Sequence, residues 1–146
     1  MSDTSRRGFI PVIWCGHANL SVSIHTPERV VGDIQGLVNA LMPYNGGHFI
    51  VMSMHNVATP RGRRGGADYQ PVLDINAQLQ ALYPSNFLDT RHTFINAYNP
   101  NDPQDVLDHN DDTIPWTYRS DEIHLRQAGS SWAAAMIRDF IASKGW

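Results

Sequence analysis

The chain has 146 residues, of which 42% are hydrophobic, 17% charged and 10% aromatic, with a formal net charge of −3. That balance belongs to one globular domain and excludes both a disordered chain and the basic footprint of a general nucleic-acid binder. A lone cysteine, Cys15, excludes an intrachain disulfide; the seven histidines are scattered without zinc-ligand spacing, and no apolar run nears the ~18 residues of a membrane span.

Arg6-Arg7 followed by an apolar run has the outline of a signal peptide, but the run is short and carries Pro11. Residues 9–15 (FIPVIWC) read better as a buried strand, rich in β-branched and aromatic residues and ending at Gly16. With no leader read, the default compartment is cytoplasmic. Trp14 lies mid-strand and is expected in the core.

Thr26-Pro27-Glu28 predicts a helix start, with Thr26 as N-cap and Pro27 at the first helical position. Val30, Val31, Ile34, Leu37, Val38 and Leu41 recur at helical spacing, and Pro43 with Asn45-Gly46-Gly47 ends the helix. Residues 48–54 (HFIVMSM) form a second apolar strand. The following loop holds Arg61, Arg63 and Arg64 among glycines. It reads as a mobile, cationic surface segment, serving either solubility or attraction of anions.

Tyr69, Val72, Leu73, Ile75, Asn76, Leu79 and Leu82 mark a second amphipathic helix, closed by Pro84. Asn86-Phe87-Leu88-Asp89 is a short third strand. Residues 96–120 lack periodicity and are rich in Asn, Asp and Pro, so they read as a long loop. Trp116 and Tyr118 within it either pack that loop down or offer a surface for stacking sugars. Ala128 to Ser143 is a final helix with Trp132, Ala135, Met136, Phe140 and Ile141 on its stripe.

Helices alternating with continuous apolar strands imply an α/β fold, with a parallel sheet covered on both faces and ligands bound outside the carboxyl ends of the strands. Those ends carry Gly16-His17-Ala18-Asn19, His55-Asn56 and Asp89-Thr90-Arg91-His92, and the long loop brings Arg119 to His124 to the same rim.

Asp121 and His124 stand in a D-x-x-H spacing that lets a carboxylate accept the imidazole Nδ1 proton and leaves Nε2 free as a general base. Spacing alone is a weak signal, because this composition supplies roughly 0.6 such pairs by chance. A second pair, Asp89 and His92, is present. Context favours Asp121 and His124, which end a polar loop directly before a helix with Gly129 in its first turn. Asp89 is expected to pair with Arg91 or cap a turn.

Val12-Ile13-Trp14-Cys15-Gly16-His17-Ala18-Asn19-Leu20 resembles the third block of the SGNH/GDSL hydrolase superfamily. Arg119-Ser120-Asp121-Glu122-Ile123-His124-Leu125, with Ala128-Gly129 after it, resembles the fifth block, and residues 76–89 fit the helix-to-strand segment between. The resemblance spans nearly the whole chain and concerns the second half of that domain.

The resemblance implies an incomplete three-layer α/β/α, flavodoxin-like domain over residues 1–146, with three strands present and the N-terminal strands missing. It implies hydrolysis of acyl or acetyl esters, with acetyl groups on sugars as one class, without a metal or organic cofactor, nucleic acid or membrane partner. His124 would be the general base, Asp121 its orienting acid, and Asn19 an oxyanion donor. The family's asparagine stands two residues after the glycine, where this chain has Ala18, so Asn19 either replaces it or bridges a turn.

The nucleophilic serine of the family comes from its first block, which residues 1–11 do not contain. Ser21, Ser23, Ser53 and Ser120 lack the strained turn that exposes a nucleophile. The expectation is a serine from an upstream segment or another chain, no activity alone, and an open apolar edge at residues 9–14 that invites self-association or a complementing segment. The alternative is a non-catalytic binding or structural remnant of the same fold.

Overall fold

A computed structural model describes residues 8–16 and 26–146. It is mixed α/β, with three parallel strands and five α-helices among the described residues, in keeping with an incomplete α/β/α domain. The chain divides into two compact units. One comprises the described residues up to Met54 with Asp74–Leu88; the other comprises His55–Leu73 with Asp89–Trp146.

In the first unit the strands are β1 (Val12–Ile13), β2 (Ile50–Met52) and β3 (Phe87–Leu88), in the order β1-β2-β3. Val12 pairs with Ile50 and Ile13 with Val51, while Val51 and Met52 pair with Phe87 and Leu88. Parallel neighbours need long crossovers, and helix α1 (Pro27–Asn45) and helix α2 (Tyr69–Leu82) lie in the two connections.

The start of α1 is as the sequence predicts: Thr26 Oγ1 accepts the Arg29 amide at 3.4 Å, with Pro27 behind the cap. Its end is not. Pro43 lies inside the helix, which runs to the left-handed Gly46 (φ 65°). Pro43 is exposed, so the carbonyl it leaves without a helical donor can bond to water. Val30, Val31, Ile34 and Val38 are buried, whereas Leu37, expected on the same stripe, faces solvent.

β2 is buried throughout, as is Ser53 just beyond it, whose amide donates to the Leu88 carbonyl at 3.0 Å. β1 departs from the expected fully buried strand. Ile13 is buried, but Val12 and Trp14 project to the other side and are 41% and 39% exposed. Trp14 is therefore not a core residue. Asn76 on α2 ties its helix to the sheet: its side chain accepts the Met54 amide at 2.7 Å and donates to the Met54 carbonyl at 2.8 Å.

The second unit is built around Phe94, which is fully buried and meets Trp132, His55 and Tyr118 edge-on at centroid distances of 4.9, 5.4 and 5.6 Å. Residues 96–120 are not one structureless loop. Helix α3 (Thr90–Asn96) precedes them, helix α4 (Pro103–Asn110) lies within them, and a 3-10 turn covers Trp116–Tyr118. Helix α5 (Gln127–Lys144) follows.

Helix α4 opens on an N-cap that the sequence does carry, Asp102 before Pro103, with the Asp102 carboxylate accepting the amides of Gln104 and Asp105. Its buried face is acidic instead of apolar. Asp105 and Asp108 are buried, and Asp105 accepts the Asn99 amide together with the Thr117 amide and hydroxyl at 2.7–3.0 Å. Burial pushes the Asp105 carboxyl up, but the donors from Asn99 and Thr117 and the nearby Arg119 outweigh it and hold it below the usual carboxylate range.

The arginine-rich segment is not a loose cationic loop. Arg61 makes a two-pronged contact with Asp68; Arg63 reaches the Ala58 carbonyl and Asp111; Arg64 reaches the Asn110 carbonyl and Asp112. Each guanidinium reaches a carboxylate, and Asp112 is shared between Arg64 and Arg91.

Candidate active site

Asp121 and His124 come together as the spacing predicts. Asp121 Oδ2 lies 2.8 Å from His124 Nδ1, and Asp121 Oδ1 accepts the Ile123 and His124 amides at 2.8 and 2.7 Å. These amide bonds form a local turn that presents carboxylate and imidazole to each other. An ionised carboxylate only accepts, so Nδ1 carries a proton, and in the neutral ring Nε2 is then the nitrogen with the lone pair. The His124 side chain is 73% exposed, so Nε2 is accessible to a reactant.

The turn is closed at its base. The Ser120 amide donates to the His124 carbonyl at 2.8 Å, Arg119 and Leu125 form an antiparallel bridge, and the Arg126 amide donates to the Tyr118 carbonyl at 3.0 Å. The Glu122 carbonyl accepts the Ala58 amide at 2.9 Å. Ser120 donates its hydroxyl to the His124 carbonyl at 3.3 Å, so it serves the turn. Trp116 takes the guanidinium groups of Arg119 and Arg126 against its ring at 5.0 and 5.2 Å, and Tyr118 packs on Trp132 at 4.9 Å. Both aromatics therefore pack the segment down.

Gly129 sits against this base. A Cβ there would lie 2.2 Å from the Tyr118 carbonyl oxygen. In an ordinary helix Gly→Ala gains ~1 kcal/mol, but a clash with a hydrogen-bonded backbone carbonyl costs ~1–3 kcal/mol and should win. Gly129→Ala is expected to lower the urea midpoint and to shift the Tyr118, Arg119 and Arg126 amide resonances.

The amides of His124 and Ile123, then the His124 imidazole, hold the Asp121 carboxyl down to about 2, against an ordinary value of 3.8. A lowered folded value means the bonded arrangement is complete above the ordinary value and is lost as the pH falls through about 2. Carboxyl carbon-13 NMR is expected to find Asp121 still ionised at pH 3.8, where an ordinary aspartate is half protonated.

The other pair of this spacing is also bonded. Asp89 caps α3 through the His92 amide at 3.1 Å, and its second oxygen lies 2.5 Å from His92 Nδ1. The expected capping role holds. Arg91 is buried and donates to Asn56 Oδ1 and Asp112 Oδ2, both at 2.7 Å. Asp112 adopts a left-handed backbone (φ 61°), with its carboxylate also accepting the Tyr69 hydroxyl at 2.6 Å. His55, just beyond the end of β2, is half-buried against Phe94, with Nε2 2.9 Å from Thr90 Oγ1.

Asn19, the expected oxyanion donor, lies outside the described residues, as do His17, Ser21 and Ser23. No group of three or more metal-ligating side chains occurs among the described residues, and no helix there is long and apolar enough to cross a membrane.

No family model matches the chain, and no curated protein does. Among solved structures it is similar to a Bacteroides fragilis protein named a "putative acylhydrolase", with a TM-score of 0.66 at 17% identity, over 91% of this chain and 61% of that one. At that identity the likeness is one of fold. The chain thus spans about three-fifths of the neighbour's length.

Proposed function

We propose that this chain is the C-terminal part of an SGNH-type serine ester hydrolase and supplies the aspartate and histidine of its triad. The observation that carries the reading is the Asp121–His124 pair, with Oδ2 on Nδ1 at 2.8 Å and both backbone amides on Oδ1. The name of the Bacteroides fragilis neighbour and the fold it shares are in accord with acyl transfer.

In this reading a serine from another segment of the enzyme, or from another chain, attacks the ester carbonyl. His124 Nε2 takes the hydroxyl proton and gives it to the leaving alcohol, forming an acyl-serine. Water then attacks the acyl group, giving its proton to Nε2, which passes it to the serine oxygen as the acyl–oxygen bond breaks and the acid product leaves. Asp121 keeps the imidazole in one tautomer and stabilises its charged form. Asn19 would donate to the oxyanion. The substrates are acyl esters, with acetyl groups on sugars as one class.

The test is hydrolysis of a small acyl ester by the chain alone and by the chain joined to, or mixed with, a serine-bearing segment. Activity only in the completed protein supports the reading; hydrolysis by residues 1–146 unaided overturns the division of the triad. A second reading, a non-catalytic binding or structural remnant, draws on Ala18 standing where the family has its asparagine. No turnover in the completed protein would favour it.

A further inference from the structure

We propose that Arg119 is a positioning residue for the Asp121–His124 pair, anchored by the buried carboxylate of Asp108. The inference rests on the reading of His124 as general base.

Arg119 is 5% exposed, and its guanidinium reaches three oxygens at once. Nε donates to the Ile114 carbonyl at 2.8 Å, Nη1 to the Asp121 carbonyl at 3.0 Å, and Nη2 to Asp108 Oδ1 at 2.7 Å. The first two bonds clip together the start of the segment and the turn that carries His124. The third ties both to α4. A planar guanidinium suits this fork; a lysine ammonium, a point donor on a flexible stem, does not.

Asp108 is itself held in place for this task. It is 1% exposed; Oδ1 also accepts Gln104 Nε2 at 3.0 Å, and Oδ2 is buried with no hydrogen-bond partner among the described residues. Such a carboxylate is under-satisfied without the arginine, so its presence is costly for folding alone and points to a positional role. The backbone of Arg119 completes the brace, since its carbonyl accepts Arg126 Nε at 2.8 Å. Asp121 thus has its carboxylate oriented by its own turn and its carbonyl oriented by Arg119.

The Asp89–His92 pair has the same spacing but belongs to the cap of α3, and none of the three side-chain bonds of Arg119 reaches it. It is an internal control. The experiment is two-bond nitrogen–proton correlation NMR on the full chain with nitrogen-15 histidine, at a pH where the imidazoles are neutral. In Arg119→Lys, His124 is expected to lose population of the Nδ1-protonated tautomer while His92 keeps its own. An unchanged His124, or an equal shift at both histidines, overturns the proposal.

If Arg119→Lys does not fold, Asp108→Asn decides. It removes the charge but keeps an oxygen for Arg119, and the same selective shift is expected; an unchanged His124 overturns the proposal. Loss of folding in both variants makes the pair a general stability element and overturns it too. The readout needs no substrate. A selective shift with no hydrolysis by the completed enzyme would sink the functional reading and leave the positioning role standing.

Discussion

Replacing His124 with alanine in the completed enzyme is expected to lower kcat/KM for a small acyl ester by about 10²–10⁴, the usual contribution of a positioned general base. Asp121→Asn is expected to cost up to about 10⁴, because an amide can donate to Nδ1 and so favours the wrong tautomer. His92→Ala should leave the rate unchanged. That comparison separates the two pairs of equal spacing, since both are bonded through Nδ1. A rate that falls for His92→Ala and not for His124→Ala would move the site to the α3 cap.

The largest stability effect is expected at Phe94. Its ring is fully buried and is met edge-on by Trp132, His55 and Tyr118. Phe94→Ala removes the buried ring and leaves a cavity among aromatic neighbours too large to collapse fully, which costs ~3–5 kcal/mol. Phe94→Leu keeps most of the volume and should cost below about 1.5 kcal/mol. Urea unfolding followed by tryptophan fluorescence checks both. Equal costs for the two variants would mean that packing volume is not what Phe94 supplies.

Helices α1 and α2 were legible because their signals are local: a Thr-Pro start, apolar residues at helical spacing, and Gly or Pro beyond the end. The short strands were legible as apolar runs. Helices α3 and α4 were not, because they are seven and eight residues long and α4 turns carboxylates inward. Periodicity in apolar residues is silent on such an element. Asp102-Pro103, an N-cap followed by proline, was the signal that could have found it.

The arginines divide in the same way. In the sequence Arg61, Arg63 and Arg64 look like a cationic loop, and Arg91 looks like a neighbour for Asp89. Their partners are Asp68, Asp111 and Asp112, and Arg91 shares Asp112 with Arg64 and Tyr69. Asp111 and Asp112 lie far from these arginines in sequence and are brought to them by the fold, and only for the buried Arg91 does the cost of desolvation require such acceptors.

By itself, the sequence determined the α/β order, the parallel sheet and the meeting of Asp121 with His124. An Asp three residues before a His can accept the backbone amides of the turn between them, so local spacing is enough to make that contact legible. Only the tertiary structure decided which side of β1 is covered, that residues 103–110 form an acidic brace, and that Arg119 links Asp108 to the carbonyl of Asp121. Those choices depend on which buried charges find each other across the fold, and a buried guanidinium is placed by the sum of its acceptors, which no local spacing records.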